Sequence, residues 1–140
     1  MPTDFRDAAV RHFEDAEYLD VGDRMANADH LFGLSAECAL KAVMQGLGMV
    51  LRPDGAPDQK QHRVHINRLW GEFITFSQLR SGAKYASCID PMNNPFSDWD
   101  VSQRYCNRND ITSVMLTRHK KGSEQTKQVL DMAILDGVVQ

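Results

Sequence analysis

The chain has 140 residues and 15.8 kDa, the size of one domain, and that is enough to bury a real core. A net charge of −3 and an isoelectric point near 5.9 exclude the global positive field of a dedicated duplex-DNA binder, so any nucleic-acid contact must be local. Three cysteines, Cys38, Cys88 and Cys106, are odd in number and lack Cys-x-x-Cys spacing, which argues against both a disulfide framework and a structural zinc site.

The opening MPTDFRDAAVRHFEDAEYLD is charged throughout, with no apolar core for a signal peptide, and no run approaches the ~18 apolar residues of a membrane span. A cytoplasmic, reducing location without membrane contact is expected. Thr3 is placed to cap a first helix reaching about Leu19, with Phe5, Ala9, Phe13 and Ala16 at three- and four-residue steps. Gly22 interrupts the pattern. Asp23 is placed to cap a second helix whose inner stripe is Met25, Ala28, Leu31 or Phe32, Ser35, Cys38, Ala39, Ala42 and Leu47, stopped by Gly46 and Gly48. The segment GMVLRPDGAPDQKQHR carries Pro53, Asp54-Gly55 and Pro57 and reads as an exposed loop, with Pro53 to Gln61 its most mobile part.

Helical spacing returns from Val64 to Gln78 at Ile66, Leu69, Trp70, Phe73, Ile74 and Phe76, and SGAKYASC adds a short helical piece. DPMNNPFSDWD, Asp90 to Asp100, is dense in turn formers yet bears Phe96 and Trp99, the mark of an irregular loop folded back on the body with Trp99 in the core. A last helical region spans Val101 to Val138, broken near Lys120, Lys121 and Gly122, with Val129, Leu130, Ala133 and Ile134 on its inner face. No strand pattern competes. The expected fold is all-α, a single domain over residues 1–140 built as an up-and-down bundle of four or five helices.

Within the second helix, SAECALKAVM sets Glu37 and Lys41 at i and i+4, either as an ordinary stabilising pair or as charges at an interface between closely approaching helices. His62 and His65, three apart, are the one spacing that suits a metal, with a distant carboxylate, and the expectation is instead that one is solvated and the other polar at a helix N-terminus. There is no di-iron tetrad, Gly-rich phosphate loop, serine nucleophile elbow or Cys-x-x-Cys site. Neither a metal nor a cofactor is expected.

The run ANADHLFGLSAECALKAVMQGLG, then HINRLW, then DWDVSQRY resembles the HEPN family of small helical proteins. An Ala-x-x-Leu helix leads into an Ala-Glu-x-x-x-Lys helix, a His opens the next helix, and an Arg-Tyr pair stands near the last, so the likeness covers roughly Arg11 to Tyr105. The resemblance implies a groove between helices where Glu37, Lys41, His65, Arg104 and Tyr105 would hold a nucleotide or RNA, with Lys41 and Arg104 on phosphate and Tyr105 on a base. The alternative for Arg104 is structural, tying the 93–100 loop to the body through Asp98 or Asp100.

Many catalytic members of that family are ribonucleases with an Arg, a polar residue, and a His separated from the Arg by four to six residues. This chain departs from the pattern: Arg108-Asn109 is followed by Ser113, Val114 and Met115 where the His belongs, and His119 comes too late. Arg6 with His12 and Arg24 with His30 have the spacing, but on early helices, the wrong place for the family. The resemblance therefore implies a noncatalytic nucleotide- or RNA-binding module, forming a homodimer through the alanine-rich side of the second helix and working with a nucleotidyltransferase or antitoxin partner. A metal-independent endoribonuclease toxin relying on Arg24 and His30, and a purely structural dimerisation protein, are the alternatives.

Overall fold

The computed structural model describes all 140 residues and is all-helical; the sole β contact is an isolated bridge between Leu51 and Pro57. Helix α1 (Phe5–Val21) and helix α2 (Met25–Gly46) are joined by Gly22, Asp23 and Arg24, a link too short for anything but a helical hairpin. Asp23 has φ 61°, so it makes the left-handed turn and is not the cap of α2. The residue before α2 is Arg24, and no side chain caps this helix. At the start of α1 the cap is Asp4, which accepts from the Asp7 amide, while the Thr3 hydroxyl reaches away to the Gly55 carbonyl.

Helix α2 is the central element, packed against α1, α5 (Ser113–Leu135) and α3 (Ile66–Gln78). Its alanines Ala28, Ala36, Ala39 and Ala42 are all buried within the chain, so the small-residue surface expected to receive a second subunit is already used. That is the physical value of alanine here: a short side chain lets neighbouring helices come close on several sides. Cys38 and Leu47, expected on the inner stripe, are only half-buried at its margin. The main core joins Leu40, Val43 and Met44 of α2 to Leu69, Trp70 and Phe73 of α3 and Val129, Leu130 and Ala133 of α5. A smaller cluster, Phe13, Ala16, Ala28, Phe32 and Leu116, closes the other end.

The final helical region differs from expectation at its start and at its expected break. Val101 to Asp110 forms two 3₁₀ turns, Val101–Tyr105 and Arg108–Asp110, and α5 then runs unbroken from its Thr112 cap through Gly122. Gly122 is there for close approach: a β-carbon would fall 2.7 Å from Pro95 Cγ and 2.8 Å from the Phe96 ring. The 53–61 loop is also less open than expected. Pro57 is buried, Arg52 Nη2 meets Asp54 Oδ2 at 2.6 Å, and Thr3 crosses to Gly55. The short helical piece is α4 (Ala83–Ala86), where Lys84 and Tyr85 both donate to Asp136 beyond the end of α5.

Trp99 lies wholly buried, as expected, and its indole occupies the space above Gly33 of α2, where any β-carbon would overlap it. Gly33→Ala therefore has to expel the indole or spread the backbone, at about 1–3 kcal/mol. We expect a melting temperature lower by roughly 3–10 °C, with red-shifted tryptophan emission. Unchanged melting and emission would show that Trp99 does not rest on Gly33.

Candidate functional site

Asp29 lies just inside the start of α2 with no exposed surface, and three groups from the far end of the chain converge on it. Its Oδ1 accepts from His119 Nδ1 of α5 at 2.6 Å, its Oδ2 from Gln103 Nε2 at 2.6 Å, and its backbone carbonyl from Trp99 Nε1 at 3.3 Å. The other ring nitrogen of His119, Nε2, donates to Asp98 Oδ1 at 2.8 Å, an oxygen that also takes Arg118 Nη1 at 2.7 Å. An ionised carboxylate only accepts, so a carboxylate oxygen at each ring nitrogen favours the doubly protonated imidazolium form of His119. Burial opposes that charge, but Asp29 and Asp98 outweigh it and hold the pKa above the usual histidine value. Burial likewise raises the Asp98 carboxyl, and Arg118 and His119 more than reverse it, so its pKa ends lowered.

This network supports a face built from four elements. The His30 ring of α2 stacks on Trp99 at 5.5 Å between centroids and 12° between planes, and His65 at the start of α3 leans on the same indole at 6.4 Å. Burial lowers the His30 pKa first and nearby Arg104 lowers it further, with His12 and His65 adding to the effect, so these four side chains share one neighbourhood. His12, from α1, is lowered by burial and by Arg11. His30 Nδ1 is buried and has no hydrogen-bond partner. No three ligating side chains are placed to share a metal ion.

Glu37 and Lys41 prove to be a buried pair that reaches an exposed His65. Glu37 Oε2 accepts from Lys41 Nζ at 3.0 Å, and Oε1 accepts from His65 Nδ1 at 3.0 Å. The hydrogen bond to Glu37 raises the His65 pKa despite some burial. Burial pushes the Glu37 carboxyl up, but His65 and Lys41 together bring it below its usual value. Lys41 is 6% exposed and faces inward, its ammonium 6.0 Å from the Phe5 ring centroid, so it neutralises Glu37 and is not an open phosphate contact. Glu37 fixes the His65 tautomer and leaves Nε2 as the nitrogen free to titrate.

Arg104 and Tyr105 stand on the 3₁₀ turn next to Gln103, and both are exposed. The Arg104 guanidinium lies 5.0 Å from the Tyr105 ring centroid and makes no ion pair with Asp98 or Asp100; Arg118 has taken Asp98, and Asp100 caps its own turn. Arg104 also lines a cavity of about 570 Å3 at the start of α2, together with Arg24 and Arg108. Arg24 thus shares a cavity with Arg104, and His30 lies within electrostatic reach of the same guanidinium. Arg6 and His12 are not brought together: Arg6 faces a recess beside Gln45 and Val138, while His12 faces the histidine group. His62 is buried edge-on against Phe76, apart from His65, so the pair does not converge. Sequence reasoning missed Asp29, Gln103 and His119 as partners; the one readable signal was an acid on the apolar stripe of α2, between Ala28 and Phe32.

No family model, curated protein or solved structure matches this chain. No helix is long and apolar enough to cross a membrane.

Because His119 titrates above its ordinary 6.5 when folded, its contribution is fully present below about pH 6.5 and is lost as pH rises through the folded pKa. His119→Gln should lower stability by about 3–5 kcal/mol near pH 6, since it leaves Asp29 buried and undercompensated. The melting-temperature gap between wild type and variant should narrow as pH rises toward 9. A gap that stays constant over that range contradicts an imidazolium at position 119.

Proposed function

We propose that the chain is a noncatalytic nucleotide- or RNA-binding module whose phosphate contact is Arg104, with Tyr105 beside it as a stacking surface and His30 and His65 along the same face. The observation that carries this reading is Arg104 itself. It is an exposed guanidinium with no carboxylate partner, on a turn tethered through Gln103 to the buried Asp29, so its position is fixed while its donors remain available. The likeness of the sequence to HEPN proteins supports the same ligand class, and with it a nucleotidyltransferase or antitoxin partner and pairing of two copies through a surface other than the buried alanines of α2.

Arg104→Ala should weaken binding of a short single-stranded RNA by roughly tenfold and reduce the salt slope by about one. Its melting temperature should stay close to wild type, because an exposed unpaired charge contributes little stability. Arg104→Lys separates a point-charge contact, which survives, from a bidentate fork, which does not. A destabilised Arg104→Ala that binds normally removes Arg104 from the site and takes the reading with it.

One observation favours a second reading, a metal-independent endoribonuclease. Histidines of opposite tendency, His30 lowered and His65 raised, lie against one indole, with Arg104 near His30. A neutral imidazole as base, a protonated one as acid and a cation for the phosphorane are the groups that attack by a ribose 2′-hydroxyl uses. That enzyme would arrest growth on expression and cleave RNA in chelator, both abolished by His30→Ala. Intact RNA after prolonged incubation with wild type would eliminate it. A purely structural protein would show no nucleotide-dependent shift in melting temperature.

A further inference from the structure

We infer that the cavity between the start of α2 and the 103–109 segment binds a phosphomonoester, the dianionic terminal phosphate of a mononucleotide or of an RNA strand end. This deepens, and rests on, the nucleotide- or RNA-binding reading above. Three arginines, Arg24, Arg104 and Arg108, line the cavity, and none of them forms an ion pair within the chain. Asp23 is the only acid in the lining, so the cavity carries two net positive charges against an overall −3. Gathering three guanidinium groups without counter-ions is unfavourable, and a dianion relieves it.

The backbone adds donors of the same sign. The first hydrogen bond of α2 runs from the Ala28 amide to the Arg24 carbonyl, which leaves the amides of Met25, Ala26 and Asn27 without a carbonyl partner. No side chain caps them, and the first turn of this 22-residue helix holds no acid to compete for them. Met25, Ala26 and Asn27 all border the cavity.

The charge and shape of the donors select the ligand. Arginine forks match phosphate oxygens in pairs, and a terminal phosphate offers three oxygens and nearly two charges. An internal phosphodiester offers two free oxygens and one charge, so it leaves part of the arginine set unused. A volume of about 570 Å3 falls within the range of small-ligand pockets and has room for a nucleoside behind the phosphate. Arg104 belongs to both the cavity and the histidine face, so a strand whose end is held in the cavity continues past His30.

The test uses the full chain and one short single-stranded RNA prepared with a 5′-phosphate, a 3′-phosphate or hydroxyls at both ends, alongside AMP and adenosine. Titration should show at least one phosphorylated end binding roughly tenfold more tightly than the hydroxyl-ended strand, or AMP exceeding adenosine by a similar factor. AMP as tight as the phosphorylated strand makes the free nucleotide the source; a large advantage for the strand makes the RNA end the source. Arg24→Ala with Arg108→Ala should abolish the phosphate preference, and Arg24→Lys with Arg108→Lys should restore part of it, with circular dichroism confirming that each variant is folded. Equal binding of phosphorylated and hydroxyl ends, or a preference that survives the double alanine variant, overturns the cavity assignment while leaving RNA binding at Arg104 in place. Absence of binding by every strand and by AMP overturns both.

Discussion

The contact between Asp29 and His119 joins positions 90 residues apart and settles where the rest of the site can be. A buried carboxylate costs several kcal/mol unless its lone pairs are occupied, and Asp29 occupies them with His119 on one oxygen and Gln103 on the other. Residues 90–112 contain no α-helix of their own, only two 3₁₀ turns. What gives this segment a single conformation is that Trp99, Gln103 and, through His119, Asp98 are all tied to the one residue in α2. The charge of His119 follows from its two carboxylates, and the ordering of the Arg104 turn follows from Gln103.

A second network, buried Glu37 and Lys41 with exposed His65, works by the same logic beside Trp99. Lys41 and Glu37 neutralise each other inside the helix packing, so Glu37 can hold His65 without leaving an uncompensated charge when that histidine is neutral. The two networks flank the same indole. His30 stacks on Trp99, and His65 leans against it. A platform whose floor is packed against Gly33 and whose flanks are hydrogen-bonded keeps its imidazoles in place without a ligand, the condition for a site that binds by presenting groups and not by rearranging them.

Apolar spacing made α1, α2 and α3 legible, because each presents a buried stripe at helical intervals, and the two large aromatics of an otherwise turn-rich segment, Phe96 and Trp99, pointed to a loop folded back on the core. Local chemistry misled where tertiary contact overruled it. Gly122 has the look of a breaker, yet it is a mid-helix glycine kept small for Pro95 and Phe96. Asp23 has the look of a cap, yet it takes the left-handed turn and leaves α2 uncapped. The Glu37 and Lys41 pair was readable from an i, i+4 spacing, but its burial depends on Phe5 and His65 and so could not be. Arg104 stood beside two aspartates in sequence. Its freedom became visible only once Arg118 and His119 were seen to hold Asp98 and the amide of Ser102 to hold Asp100.

Overall charge is a poor guide to a site of this kind, since the acids and bases of the chain are sorted unequally. Asp29, Glu37, Asp98 and Asp136 are spent in internal hydrogen bonds and ion pairs, and so are Lys41, Lys84, Arg118 and His119. Arg24, Arg104 and Arg108 have no such partners and stand together. At physiological salt the screening length is about 8 Å, so an anion inside the cavity responds to these three guanidinium groups and the Asp23 carboxylate far more than to distant surface charge. The net −3 acts instead on the approach, where it withholds the long-range steering that a basic protein gives to nucleic acid. Affinity at such a surface comes from the contact itself, and selectivity from how completely a ligand's oxygens engage the arginine forks and the free amides of α2.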